Sequence, residues 1–232
     1  MPRTRPLLAS ALIAMATLTA CSDDQRPASS GAASDSPKGD KAAAASDTAK
    51  PITKNLPQAA ITQALLNDGE LLPGYELLDD KSVTKGEYCN TTDTDQAPTG
   101  WVRGGDADYT YDGSTRNMAS VRICLYDSAE NAQAAYAAWK GTESDKEQKP
   151  SAQIGDESVL VLNPGFSEDN VNGYARSGKA VIRVRMDGHT VDGTDTTGAE
   201  ATLSATLKRL QQVQAGEPVT VTAVDEQRAA AQ

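Results

Sequence analysis

The 232-residue chain predicts an α+β fold, a mainly antiparallel sheet covered by helices, in a single domain. Three observations lead there. Short segments alternate apolar and polar residues with the period of a strand, and they return through turns of two or three residues. Other segments place small and apolar residues three and four apart behind capping signals, as amphipathic helices do. The order strand, strand, strand, helix occurs twice, without a residue-level repeat.

Taken in order, Leu56, Ala60, Ile61, Ala64 and Leu65 recur at helical spacing, with Asn55 as the cap, Pro57 in the first turn and Gly69 beyond the end. Tyr75 to Leu78 and Val83 to Cys89 read as strands, followed by a Trp101 to Tyr111 segment broken by Gly104-Gly105. Asp112-Gly113 opens a turn into the strand Met118 to Tyr126, where Val121, Ile123 and Leu125 face a core and Arg122 and Cys124 face away. Asp127-Ser128-Ala129-Glu130 is a capping-box pattern, and Ala132, Ala135, Tyr136 and Trp139 line one side of the helix that ends at Gly141. After a loop rich in Lys, Glu and Pro, Ser158 to Leu162 forms a short strand buried on both faces. Val171 to Arg176 and Lys179 to Met186 form a hairpin across Ser177-Gly178, with Ala180, Ile182, Val184 and Met186 opposing Lys179, Arg183 and Arg185. Thr197 with Glu200 caps a last helix striped by Leu203, Leu207, Leu210 and Val213.

Domain limits follow from composition. Arg3 and Arg5 precede an apolar run, Leu7 to Leu18, too short for a stable membrane span, so residues 1–20 read as an export signal. It ends in Leu18-Thr19-Ala20-Cys21, a lipobox, which predicts a lipoprotein acylated at Cys21 and held at the outer face of the cell membrane. Residues 21–54 lack aromatics and have Ile52 as their one large aliphatic, so they read as a disordered stalk with a reach of about 30 Å. All ten aromatic residues lie between Tyr75 and Tyr174, inside the domain at 55–215, and residues 216–232 are expected to be a loose tail.

With Cys21 acylated, Cys89 and Cys124 remain as one pair. Outside the membrane they are expected to form a disulfide. Two free thiols or a metal pair are the alternatives, although no CxxC and no neighbouring histidine supports a metal site. The chain carries 22 basic against 32 acidic residues, a net charge of -10. That balance speaks against nucleic acid as a partner and against lying flat on anionic lipid.

Leu72-Pro73-Gly74-Tyr75, Ile154-Gly155-Asp156-Glu157-Ser158 and the run from Gly173 to Val184 carry a resemblance across Leu56 to Val213. On these motifs the chain resembles actinobacterial lipoproteins built like the extracellular sensor domain of mycobacterial transmembrane serine/threonine kinases. The resemblance implies a curved antiparallel sheet with helices and a cleft, and binding of an envelope ligand or protein partner outside the cell. Those sensor domains hold two disulfides, whereas this chain has cysteines for one.

Catalytic templates find little to match. His189, the single histidine, sits in Asp187-Gly188-His189-Thr190 with no GxSxG serine to serve it. Ser82-Val83-Thr84-Lys85 matches SxxK, but its SxN and KTG companions are missing, and Lys140-Gly141-Thr142 has the wrong order. Asp106, Asp108 and Asp112, or Asp187, Asp192 and Asp195, lack the spacing that wraps calcium. No cofactor or metal is expected. A binding surface is expected at Trp101, Arg103, Tyr109 and Tyr111, where rings beside a guanidinium suit a sugar, peptide or lipid headgroup, although such alternation also covers sheets. The domain therefore reads as a non-enzymatic, sensor-like binder, with an envelope hydrolase or transferase as the rival.

Overall fold

The computed structural model describes residues 50–90, 95–141, 146–163, 169–188 and 196–232. The export signal, Cys21, most of the expected stalk, His189, Asp192 and Asp195 lie outside them. Among the described residues, seven strands and four α-helices form an α+β domain. The strands are β1 (Tyr75–Leu77), β2 (Trp101–Tyr111), β3 (Ser114–Tyr126), β4 (Lys146–Gln148), β5 (Glu157–Asn163), β6 (Asn170–Ser177) and β7 (Ala180–Asp187). The helices are α1 (Gln58–Ala64), α2 (Ala129–Lys140), α3 (Thr197–Ala215) and α4 (Ala223–Ala230). The sheet runs β1-β2-β3-β7-β6-β5-β4 with every neighbour antiparallel.

Strand alternation separates two cores. Val121, Ile123 and Leu125 of β3, with Ala180, Ile182, Val184 and Met186 of β7, pack beneath Ile61 and Leu65 and beneath Leu203, Leu207 and Leu210 of α3. On the reverse face Cys124, Tyr126, Val159, Val161, Tyr174 and Val181 pack against Ala132, Ala135, Tyr136 and Trp139 of α2. Each fully buried Leu or Ile side chain contributes about 1.5 to 3 kcal/mol through water exclusion, so the first core dominates stability. The α2 stripe is the one its spacing predicts.

The glycines at 104 and 105 do not break β2, which runs eleven residues. They thin it instead. A side chain at Gly105 would meet Ile61 of α1 at 3.0 Å, and one at Gly104 would meet the Ile123 carbonyl at 2.7 Å and Thr84 at 3.1 Å. Segments therefore press onto both faces of the strand at this level. Asp112, at φ 48°, and Gly113, at φ 70°, make the tight turn to β3.

Several expectations are corrected. Val83 to Cys89 is no strand: Ser82 makes an isolated bridge to Asp106, and Gly86–Cys89 forms a 3₁₀ turn drawn onto the reverse face by the Cys89–Cys124 disulfide. Asn55 does not cap α1. Pro57 occupies that position, and the Asn55 amide oxygen accepts from Lys179 Nζ at 3.1 Å. The α2 cap lies one residue later than the capping-box reading, since Ser128 Oγ accepts from the Asn131 N–H at 3.1 Å. Thr196 precedes α3, and Glu200 accepts from Ser151 N–H at 2.8 Å and from the Ser151 hydroxyl rather than closing a box with Thr197. Within the expected loop, Lys146–Gln148 adds an edge strand to β5.

The tail is not loose. Gly216, in the left-handed conformation, ends α3, and Thr222 caps α4 by accepting from Asp225 N–H at 3.1 Å. Ala223 is buried, and Glu226 of α4 pairs with Lys208 of α3 at 2.8 Å. The last residues of the expected stalk also fold in: Ile52 is fully buried, and its carbonyl accepts from Lys179 N–H at 2.7 Å.

The motifs that carry the resemblance prove to be joints. Arg176 of β6 donates through Nε and Nη2 to Glu157 at 3.0 and 2.8 Å and through Nη1 to Asp156 at 3.0 Å. Asp156 also accepts from Gly178 N–H at 2.7 Å, fixing the β6–β7 turn. Near the other edge, Tyr75 and Tyr111 meet edge to face at 5.3 Å across the β1–β2 pair.

Candidate functional site

The four residues expected to bind ligand are not gathered on one surface. Tyr109 is wholly buried on the face under α1, and its hydroxyl donates to the Leu66 carbonyl at 2.7 Å. Burial pushes its pKa upward, as it does for Tyr75. Tyr111 lies on the same face, packed on Tyr75 and over Gly74. The β2–β3 register shifts between Trp101 and Arg103, and Trp101 packs with the opposite core, against Gly86. Aromatic alternation in β2 is thus core chemistry at Tyr109, as the strand's small neighbours Gly105 and Ala107 suggest.

A different group of residues does converge. A cavity of about 200 Å³ opens on the reverse face of the sheet, lined by Ser120, Arg122, Arg183 and Arg185. Pairing between β3 and β7 creates it: Arg122 stands opposite Arg183, and Ser120 opposite Arg185. Because residues two apart share a face, three guanidiniums from two adjacent strands point the same way. α2 covers the reverse face over Tyr174 and Val181, its Trp139 reaches Arg183, and Arg185 beyond it is exposed.

The arginines are positioned from both sides. Arg122 lies 5.3 Å over the Tyr88 ring of the 3₁₀ turn and donates through Nη1 to the Tyr88 carbonyl at 3.3 Å. Arg183 lies 5.6 Å from both the Trp139 and Tyr174 rings and donates through Nη2 to the Asn172 side chain at 3.2 Å. Arg185 donates through Nε to Asp187 at 2.8 Å. Such ring contacts and ion pairs restrict the guanidiniums before any ligand arrives. Burial lowers the Arg122 pKa, with Asp106 opposing and Arg183 reinforcing the effect.

The acidic neighbours are already engaged. Asp106 accepts from Ser82 Oγ at 2.8 Å and Thr84 Oγ1 at 2.6 Å, and Asp108 accepts from Ser120 Oγ at 2.6 Å. Asp112 sits apart in the β2–β3 turn, and no metal-sized cluster occurs among the described residues. The SxxK pair is likewise separated: Ser82 is bonded to Asp106, while Lys85 has a 76% exposed side chain 4.0 Å from Glu87. No helix of the described residues is long and apolar enough to cross a membrane.

The signal that marks this cleft was present as Arg122, Arg183 and Arg185, each on the polar side of an alternating strand. No local window joins them, because strands distant in sequence must pair before they meet.

Comparison with known proteins adds a likeness among solved structures. No protein-family model and no curated protein matches the chain. A solved structure, the extracellular domain of PknH from Mycobacterium tuberculosis, is similar over 69% of this chain and 99% of that one, at 12% identity and a TM-score of 0.46.

Proposed function

We propose that the chain is a lipid-anchored, extracytoplasmic binding protein with a sensor-like or accessory role, and that its ligand enters the cleft on the reverse face of the sheet. The observation that carries the binding role is the composition of the cleft. Its lining offers donors and positive charge, and its one hydroxyl, Ser120, is spent on Asp108. Oriented cations in a concavity suit recognition. The lipobox ending in Cys21 and the disulfide between the two remaining cysteines support an address outside the cytoplasm.

Two measurements test the two halves. Intact mass spectrometry of the protein from cells with a working lipidation pathway is expected to find a chain beginning at a diacylglyceryl-modified Cys21; an unmodified, released chain refutes the anchor. Backbone amide shifts during a screen of small envelope-type ligands are expected to move first in β3 and β7. Shifts confined to the α1 and α3 side refute the cleft.

A further inference from the structure

Resting on that reading of the cleft, we propose that it is a sugar site, which takes one neutral ring through a pair of adjacent hydroxyls. Two rows of side chains cross β2, β3 and β7 on the reverse face. Asp106, Arg122 and Arg183 make the first, and Asp108, Ser120 and Arg185 make the second. Arg185 also meets Asp187 at 2.8 Å, so three carboxylates answer the three guanidiniums. An anion is attracted by the arginines and repelled by the carboxylates, and a cation the reverse, so neither gains much from its charge.

Hydrogen-bonding capacity of both kinds is left over. Among the described residues, Asp106 accepts through Oδ1 alone, from Ser82 and Thr84, and Asp108 through Oδ1 alone, from Ser120. Each keeps Oδ2 to accept from a ligand. On the donor side Arg185 uses only Nε, on Asp187, and Arg122 uses only Nη1, on the Tyr88 carbonyl, which leaves both Nη groups of Arg185 and the Nη2 of Arg122. None of these atoms is sealed from solvent, unlike the Arg122 Nε, which takes no part.

The mixture selects the ligand. Acceptors and donors stand side by side at the cross-strand spacing of about 5 Å. A hydroxyl both donates and accepts, so two of them on neighbouring ring carbons engage a carboxylate and a guanidinium together. A peptide group also carries one donor and one acceptor, but the trans plane points them in opposite directions. At about 200 Å³ the cavity is smaller than pockets that enclose drug-sized molecules, so it seats a single ring and leaves any longer glycan outside. Tyr88, 52% exposed beside Arg122, supplies ring surface for the C–H face of the sugar.

The test is an amide-shift titration of the full chain with D-glucose, D-galactose and D-mannose, each beside its 6-phosphate and its 2-amino derivative, with acetyl-alanyl-alanine amide as the peptide control. Saturable shifts in β3 and β7 are expected from at least one neutral hexose, which binds more tightly than its two charged derivatives. Asp108→Asn and Arg185→Ala are each expected to weaken it about tenfold, and Asp108→Asn to turn the preference toward the 6-phosphate, because one negative charge is gone. Asparagine keeps an oxygen for Ser120, and Arg185 is 44% exposed in its side chain, so both variants keep the fold, as the thermal unfolding midpoint checks. No saturable binding of any neutral hexose, tighter binding of a charged derivative or equal binding of the peptide by the unaltered chain, or affinity unchanged in both variants overturns the sugar site. If every hexose fails while another small ligand still shifts the β3 and β7 amides, the cleft reading survives; if none shifts them, both fall.

Discussion

The two faces of the sheet share β3 and β7 yet obey different rules. On one, every inward residue from Val121 to Leu125 and from Ala180 to Met186 is apolar and covered by α1 and α3. On the other, the intervening positions pass from Cys124 and Val181, sealed beneath α2, to Arg122 and Arg183, half-buried, and Arg185, exposed. A single strand therefore provides cohesion on one side and, in the function proposed above, recognition on the other. Changes to the covered face should lower stability, and changes to the open stretch should alter binding with little loss of stability.

The largest test of that division lies at Arg209, a cation 1% exposed in α3 on the covered side. Its guanidinium donates to the carbonyls of Ala64, Gln63, Leu65 and Val221 and pairs with Glu70 at 2.9 Å, tying α1 and the C-terminal segment to α3. Arg209→Met should cost about 3 to 5 kcal/mol, measured by denaturant unfolding, because acceptors and a carboxylate lose their partner. A loss as small as that at Arg185 would erase the distinction between buried and open arginines.

Next is the disulfide, which anchors the 3₁₀ turn to the reverse face across a sequence separation of 35. Replacing Cys89 and Cys124 together by Ser should lower stability by about 3 to 4 kcal/mol on the chain-entropy account. It should also weaken binding in the cleft, since Tyr88 no longer has a fixed place beside Arg122. Loss of stability with cleft binding intact would show that the turn is not part of the site.

Alkali should affect both cores. Burial, followed by Glu157 and Glu147, raises Tyr136 from 10.0 to about 12, and burial raises Tyr75, Tyr109 and Tyr126 as well. In each case the unfolded chain releases its phenolic proton first. The stabilisation is therefore complete below about pH 10 and is lost as pH rises toward 12 and beyond. Ultraviolet titration should find these phenols ionising together with unfolding; independent ionisation of the folded protein near pH 10 would contradict their burial. The smallest expected effect is that of Arg185→Ala on stability, within about 0.5 kcal/mol by thermal unfolding, because its ion pair with Asp187 is exposed.

How much of this was legible in the sequence depends on the range of the interaction. The stripe Ala132, Ala135, Tyr136 and Trp139, and the alternation from Ala180 to Met186, are local patterns that the folded chain repeats almost residue for residue. Val83 to Cys89 looked like a strand because its composition is strand-like, yet a covalent bond to Cys124 and the thin glycine stretch of β2 govern its path. α4 was hidden because its anchoring depends on Lys208 and Arg209, on another helix. The cleft was hidden for the same reason on a larger scale. Arg122 and Arg183 are neighbours only after β7 inserts beside β3, a pairing that no local window contains.

The path by which the chain enters the domain has a mechanical consequence. Residues 51–54 are stitched to Gln214, at the end of α3, and Ile52 is bonded to Lys179 beside the β6–β7 turn. Tension applied from the N-terminal side is therefore delivered to the middle of the sheet, where β7 has a partner along each flank, and not to a short edge strand that would peel away. A domain towed by this end should keep its arginine-lined hollow intact until the strap around Ile52 gives way.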